Sequence, residues 1–206
     1  MTRQPTTPSH HLKPAEYPDS KNIAPEDAES VSRKWLESFN GALEAGEYTL
    51  LQDLFFAESF WKDQLSLSWD NHTLRGSIEI VSFLRSRAKS TRIGNLRLNH
   101  RQEVRTPQWI AIDHHGKHMC LMSFLIFDID IATGHGVLRL MQDSVTGMWK
   151  AFTLFTAMKE LKGYEESTKN NRPLGREVRT FGSRDVSYEH NLESDNLQPT
   201  VVIVGE

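Results

Sequence analysis

The feature that most constrains this chain is the stretch from His118 to Ala157, a series of apolar and alternating residues too long for one strand and interrupted only by turn residues. Segments rich in β-branched and aromatic residues, punctuated by Gly, Asp and Thr, form the strands of an antiparallel meander. His118 to Ile131 reads as one strand, Thr133-Gly134-His135-Gly136 as a turn, Val137 to Asp143 as the next strand, Thr146-Gly147 as a second turn, and Met148 to Ala157 as the last strand. Ile93 to Asn99 and Trp109 to Asp113 are further strand candidates. Gln64 to Asp70 alternates with period two through Leu65, Leu67 and Trp69, the pattern of a half-buried strand.

Helical periodicity comes earlier. Ala28, Val31, Trp35, Phe39 and Leu43 recur three and four residues apart, and Gly46 follows as a C-cap. Tyr48, Leu51 and Leu54 mark a second, short helix, and Gly76-Ser77 opens a third that carries Ile78, Val81 and Leu84. Helices first and strands last predict an α+β fold with N-terminal helices on one face of a curved antiparallel sheet, rather than a βαβ unit.

The flanks differ from this middle. Residues 1–25 are rich in Pro, Ser, Thr and His and read as a disordered leader without the apolar segment of a secretory signal. The domain is expected over residues 26–162. Residues 163–206 read as an extended arm that ends in the apolar strand Val201-Val202-Ile203-Val204. That ending is how many first strands of a dinucleotide-binding unit begin. The fingerprint, however, needs Gly-x-Gly-x-x-Gly and a helix whose N-terminus meets the pyrophosphate. Only Gly205 is present, so no NAD or FAD is expected to bind this chain by itself. The net charge of −3 gives no basic field for nucleic acid. No apolar stretch approaches the roughly 20 residues of a spanning helix, so a cytoplasmic location without membrane contact is the expectation.

Several short stretches carry a family resemblance. Phe60-Trp61-Lys62-Asp63, Leu67-Ser68-Trp69-Asp70, Thr73-Leu74-Arg75-Gly76, the run Phe152 to Gly163, Arg172-Pro173-Leu174-Gly175 and the closing strand together resemble the N-terminal extension of fungal flavin-containing, FAD/NAD(P)H-dependent monooxygenases. That extension looks like an NTF2-like (SnoaL-like) domain. The resemblance implies a conical cavity between a curved sheet and helices. It also implies a place among cofactor-independent isomerases, cyclases and dehydratases of small apolar molecules, here of fungal secondary metabolism. The alternatives are a non-catalytic accessory module, acting with a separately encoded flavoprotein, or a shortened relative of the monooxygenases.

Within such a cavity the candidate proton-transfer groups are Asp63, Asp70 and His72, which lie close to Trp61 and Trp69 in sequence. A carboxylate against an aromatic wall serves as general acid or base, and imidazole moves protons near neutrality. Trp61, Trp69 and Phe124 are expected to exclude water and contact substrate, and Arg139 to polarise a substrate carbonyl or to pair with Asp128 or Asp130. Asp113, His114, His115 and His118 form the densest polar cluster, but Gly116-Lys117 makes them a hairpin turn, so no metal is expected. Cys120, in an apolar run, reads as a packed core thiol. On the long strand both alternating sets are apolar: Met119, Leu121, Ser123, Leu125 and Phe127 on one face, Cys120, Met122, Phe124 and Ile126 on the other. An apolar outer face implies a cover by a second subunit, by the C-terminal arm or by a flavoprotein partner, and a homodimer through the sheet is the expectation.

Overall fold

The structure, a computed structural model, describes residues 16–100 and 105–165. The stretches Arg172 to Gly175 and Val201 to Val204 singled out above lie outside the described residues.

Helix α1 spans Ala28–Ala45. The Asp27 carboxylate accepts a hydrogen bond from Ser30 N at 3.0 Å and so satisfies one of the free amides of the first turn. At the far end Gly46 adopts φ 70°, the left-handed conformation that glycine takes without steric cost, and the helix stops there. Its buried face is Trp35, Leu36, Phe39, Ala42 and Leu43, close to the expected stripe. Helix α2 is Tyr48–Asp53 and α3 is Ser77–Thr91, after Gly76 at φ 85°.

The strands are β1 Ser20–Lys21, β2 Phe55–Gln64, β3 Asn71–Arg75, β4 Gly94–Leu98, β5 Gln108–Ala111, β6 Met119–Asp128, β7 Ala132–Asp143 and β8 Trp149–Leu161. They form one curved sheet in the order β3-β2-β8-β7-β6-β4, with β5 also beside β6 and β1 beside β7. The helices pack on one face of it, as the α+β reading requires. The pairs are antiparallel except one: β2 and β8 run parallel. These two strands are joined through the rest of the sheet rather than by a hairpin, so no tight turn fixes their relative direction.

Three local expectations change. Gln64 to Asp70 is mostly the loop between β2 and β3, not a strand. Leu65 sits at φ 60°, Leu65 N donates to Asp70 O, and the Asp63 carboxylate captures Leu67 N, so local closure replaces a ladder. Thr133 to Gly136 is strand rather than turn, and the reversal lies at Ile129 to Ile131, where Ile129 N donates to Ala132 O. Gly134 and Gly136 are there because neighbours press on the backbone. A Cβ at Gly134 would lie 2.1 Å from the Phe127 ring, and one at Gly136 would lie 2.4 Å from Phe155 O. An aromatic ring laid over a cross-strand glycine is a recognised way to bend a sheet. Lastly, part of the expected leader is placed: Ser20 and Lys21 pair with Asp143 and Gln142, and the Tyr17 ring stacks on His118 with centroids 4.2 Å apart.

The core lies between the helices and the inner sheet face. Leu121, Leu125 and Phe127 of β6 are buried there with Trp35, Phe39, Leu51, Trp61, Ile80 and Leu84. Each such side chain contributes roughly 1.5–3 kcal/mol when fully buried. Ser123 shares the inner face because its hydroxyl meets Ser32 Oγ of α1 at 2.8 Å. A second, smaller apolar cluster of Phe56, Cys120, Met141 and Phe152 lies on the outer face, with Phe60, Ile110 and Ile112 against it. Cys120 is fully buried as expected, but in this outer cluster.

Candidate functional site at the open end of the sheet

Where β2 turns into β3, the loop of residues 65–70 faces the C-terminal turn of α3 and the Ile129 to Ile131 reversal. Between them lies a cleft of about 520 Å³, within the size range of small-molecule sites. Its apolar wall is Leu65, Leu67, Trp69, Ile129 and Ile131. Trp69 is 70% exposed and Ile131 49%, so large apolar side chains stand open to solvent around one mouth. Its polar groups are the hydroxyls of Ser66, Ser68, Ser90 and Thr91, the Arg87 side chain, His72, and the carboxylates Asp70 and Asp130. Asp130 is paired with Arg92 at 3.1 Å.

His72 stands opposite Asp63 in the β2–β3 ladder. Directly opposed residues of an antiparallel pair share a face, with Cβ atoms about 5 Å apart. The fold therefore brings these two predicted residues together, but it gives them different environments. His72 is half-buried, its ring lies 4.8 Å from that of Phe83, and Nε2 is 2.7 Å from Ser68 Oγ. With the hydroxyl donating, the imidazole carries its proton on Nδ1. Asp63 is fully buried beneath the cleft and does not line it. One oxygen accepts from Thr156 Oγ1 at 2.6 Å and the other from Leu67 N at 3.0 Å. Thr156 Oγ1 in turn accepts from Trp61 Nε1 at 2.8 Å. Trp61, Thr156 and Asp63 thus form a closed hydrogen-bond chain that ties the rim loop to the centre of the sheet.

The remaining candidates are dispersed. Asp70 is an exposed rim residue whose carboxylate accepts from Asn71 N at 2.7 Å. Trp61 is sealed in the core, stacked on Phe55, and does not face the cleft. Trp69 is on the rim. Phe124 and Arg139 point away from the helices, so neither lines the interior. Strand alternation sets them opposite the inward residues Leu125 and Leu138, and Arg139 donates to Thr153 Oγ1 at 3.4 Å rather than to Asp128 or Asp130. Ser68 and Arg87 were not anticipated. No sequence signal marks them, because only the loop closure sets Ser68 against His72 and only the approach of α3 brings Arg87 to the cleft.

Asp113 forms the expected turn, accepting from the amides of His115, Lys117 and His118. Among the described residues no cluster of His, Cys, Asp or Glu is arranged to hold a metal ion, and no helix is long and apolar enough to cross a membrane. Burial pushes the Cys120 thiol up to about 11, with Arg139 offsetting only part of the effect, so the thiol is not an activated nucleophile.

No protein-family model and no curated protein matches the sequence. Solved structures do resemble the chain. A protein with a cystatin-like fold from Caulobacter vibrioides is 14% identical, covering 70% of this chain and 94% of its own, with a TM-score of 0.46. The yeast UBP3-associated protein BRE5 is 11% identical, covering 66% and 98%, with a TM-score of 0.47. A ketosteroid isomerase-like protein from Erwinia carotovora atroseptica is 10% identical, covering 65% and 97%, with a TM-score of 0.43. At these identities and TM-scores none of them bears on what this chain does.

Proposed function

We propose that the chain binds a small, largely apolar molecule in the cleft at the open end of the sheet and acts on it by cofactor-independent proton transfer through His72. The observation that carries this reading is the placement of His72. It is the imidazole lining a cleft with one apolar wall, its ring is held against Phe83, and Nε2 is engaged by a single hydroxyl that a substrate proton would displace. A general acid–base group contributes roughly 10²–10⁴-fold when a reacting proton lies within hydrogen-bond reach. Arg87 and the hydroxyls of Ser66, Ser90 and Thr91 would orient a polar head, while Leu65, Trp69 and Ile131 would cover the apolar body. The reaction class stays that expected from the sequence: isomerisation, cyclisation or dehydration of a metabolite. Of the three expected proton-transfer groups, Asp63, Asp70 and His72, the role rests here on His72, with Asp63 buried beneath the cleft and Asp70 on its exposed rim. Asp63 becomes a positioning residue that acts through Leu67 on the loop bearing Ser68.

The test uses 5-nitrobenzisoxazole, which opens when one carbon-bound proton is removed and needs no cofactor. The expected result is saturable ring opening above buffer that falls by about a hundredfold in His72→Gln. Equal rates for wild type and His72→Gln would remove His72 from the role. Saturable binding of apolar ligands in the cleft, with no turnover that depends on His72, would instead favour the accessory-module alternative with a separate flavoprotein.

A further inference from the structure

The outer sheet face carries half-buried apolar side chains where a solvent-facing sheet is ordinarily polar. Two cross-strand rows run over it. One is Lys62, Phe155, Val137 and Phe124; the other is Phe60, Thr153, Arg139 and Met122. Along these rows lie two adjoining depressions of about 690 and 380 Å³ that share Val137 and Phe155.

The charge on this face is one-sided. The carboxylates lining the two depressions are Asp128 and Glu160. Both are already paired, Asp128 with Arg97 at 2.8 Å and Glu160 with Lys159 at 3.2 Å. Lys62, Arg105 and Arg139 line the same depressions and meet no carboxylate among the described residues. Burial, together with Lys159 and Arg105 nearby, holds His135 below the usual imidazole value, consistent with a cationic surface. The chain as a whole carries a charge of −3, so this excess is local rather than a reflection of composition.

This asymmetry selects among occupants. A second copy packed face to face would set a cationic patch against itself, and like charges across an interface are costly. A flat bilayer fits poorly too, because the apolar side chains sit in depressions between strands rather than protruding. We infer that the outer face is a docking surface for an acidic peptide segment of another protein, with apolar anchors between its carboxylates. From Lys62 to Phe124 the first row crosses three interstrand gaps of about 4.8 Å, roughly 15 Å in all. That distance is spanned by about four to five extended residues. The segment therefore has two or three apolar side chains over Phe155, Val137 and Phe124. Its flanking carboxylates reach Lys62 at one end and Arg105 at the other, with Arg139 of the adjoining row beside Val137.

The experiment uses an array of synthetic peptides in which two acidic residues flank every pairing of Phe, Leu, Ile and Val, beside a matched array with Lys in place of the acids. It is read by fluorescence anisotropy on the whole chain. Salt-sensitive binding of acidic members is expected, with their Lys counterparts weaker by about tenfold or more. A Lys62→Glu, Arg139→Glu double variant, with its fold checked by circular dichroism, should invert that preference. His72→Gln should bind the acidic peptides as wild type does, which separates this surface from the cleft. Equal binding of the two arrays, or binding by neither, would overturn the inference. So would a solution dimer that Phe124→Asp dissociates, or a preference for phosphatidylserine vesicles over every peptide.

Discussion

Replacing Asp63 separates a structural carboxylate from a catalytic one, and the size of the effect follows from its contacts. In Asp63→Ala two buried donors lose their acceptor: the Thr156 hydroxyl at 2.6 Å and the Leu67 amide at 3.0 Å. A buried donor left unsatisfied costs about 1–3 kcal/mol, so the pair predicts a loss of about 2–6 kcal/mol. Asp63→Asn keeps one acceptor. Its amide oxygen can serve Leu67 or Thr156 but not both, and the expected loss is about 1–3 kcal/mol. For a domain of this size those losses shift the melting temperature by roughly 2–4 °C per kcal/mol. Urea unfolding followed by tryptophan fluorescence suits the site, because Trp61 donates to the same Thr156 oxygen and reports on the network directly. The refuting result is a loss under about 1 kcal/mol for Asp63→Ala. A second refutation is an Asp63→Asn protein with wild-type stability whose His72-dependent turnover is abolished, since a carboxylate whose role is to hold the rim loop should lose stability and activity together.

Two further predictions rest on single contacts. Lys150 donates to Asp143 at 2.7 Å and, with the Thr146 and Val145 amides, holds its carboxyl down at about 2. A carboxylate with a depressed folded-state value contributes stability that is present above its unfolded value, near 4, and lost as pH falls toward 2. Acid titration of Asp143→Asn by circular dichroism should therefore show a flatter stability profile across that window, by about 1 kcal/mol once solvent screening is allowed for; an unchanged profile counts against the pair. At Gly134, alanine would drive a methyl into the Phe127 ring, and overpacking of this kind costs about 1–3 kcal/mol. Gly134→Ala combined with Phe127→Leu should recover part of that loss, and strict additivity in the double-mutant cycle would refute the contact.

The order of elements and most of their extents are legible in the spacing of residues along the chain, because periodicity is local. The stripe from Trp35 to Leu43 and the strand pattern from Met119 to Asp128 each follow from the spacing of their own residues. The sequence also marked Asp63, Asp70 and His72 as candidate proton-transfer groups, without pairing any two of them. Alternation, however, shows that a strand has two faces without showing which is inside. In β6 the set holding Phe124 is wholly apolar and the other includes Ser123, so the sequence favours the wrong face. Only the helix decides, by offering Ser32 to Ser123. That one choice sends Phe124 outward, and the alternation of β7 likewise places Arg139 outside. The loop of residues 65–70 imitates a strand until the Asp63 carboxylate seizes Leu67 N. Gly134 imitates a turn until Phe127 is laid over it. In each case the deciding contact joins residues through side-chain geometry that no pattern of hydropathy encodes. For that reason the tertiary structure alone could bury Asp63 and bring Ser68 to His72.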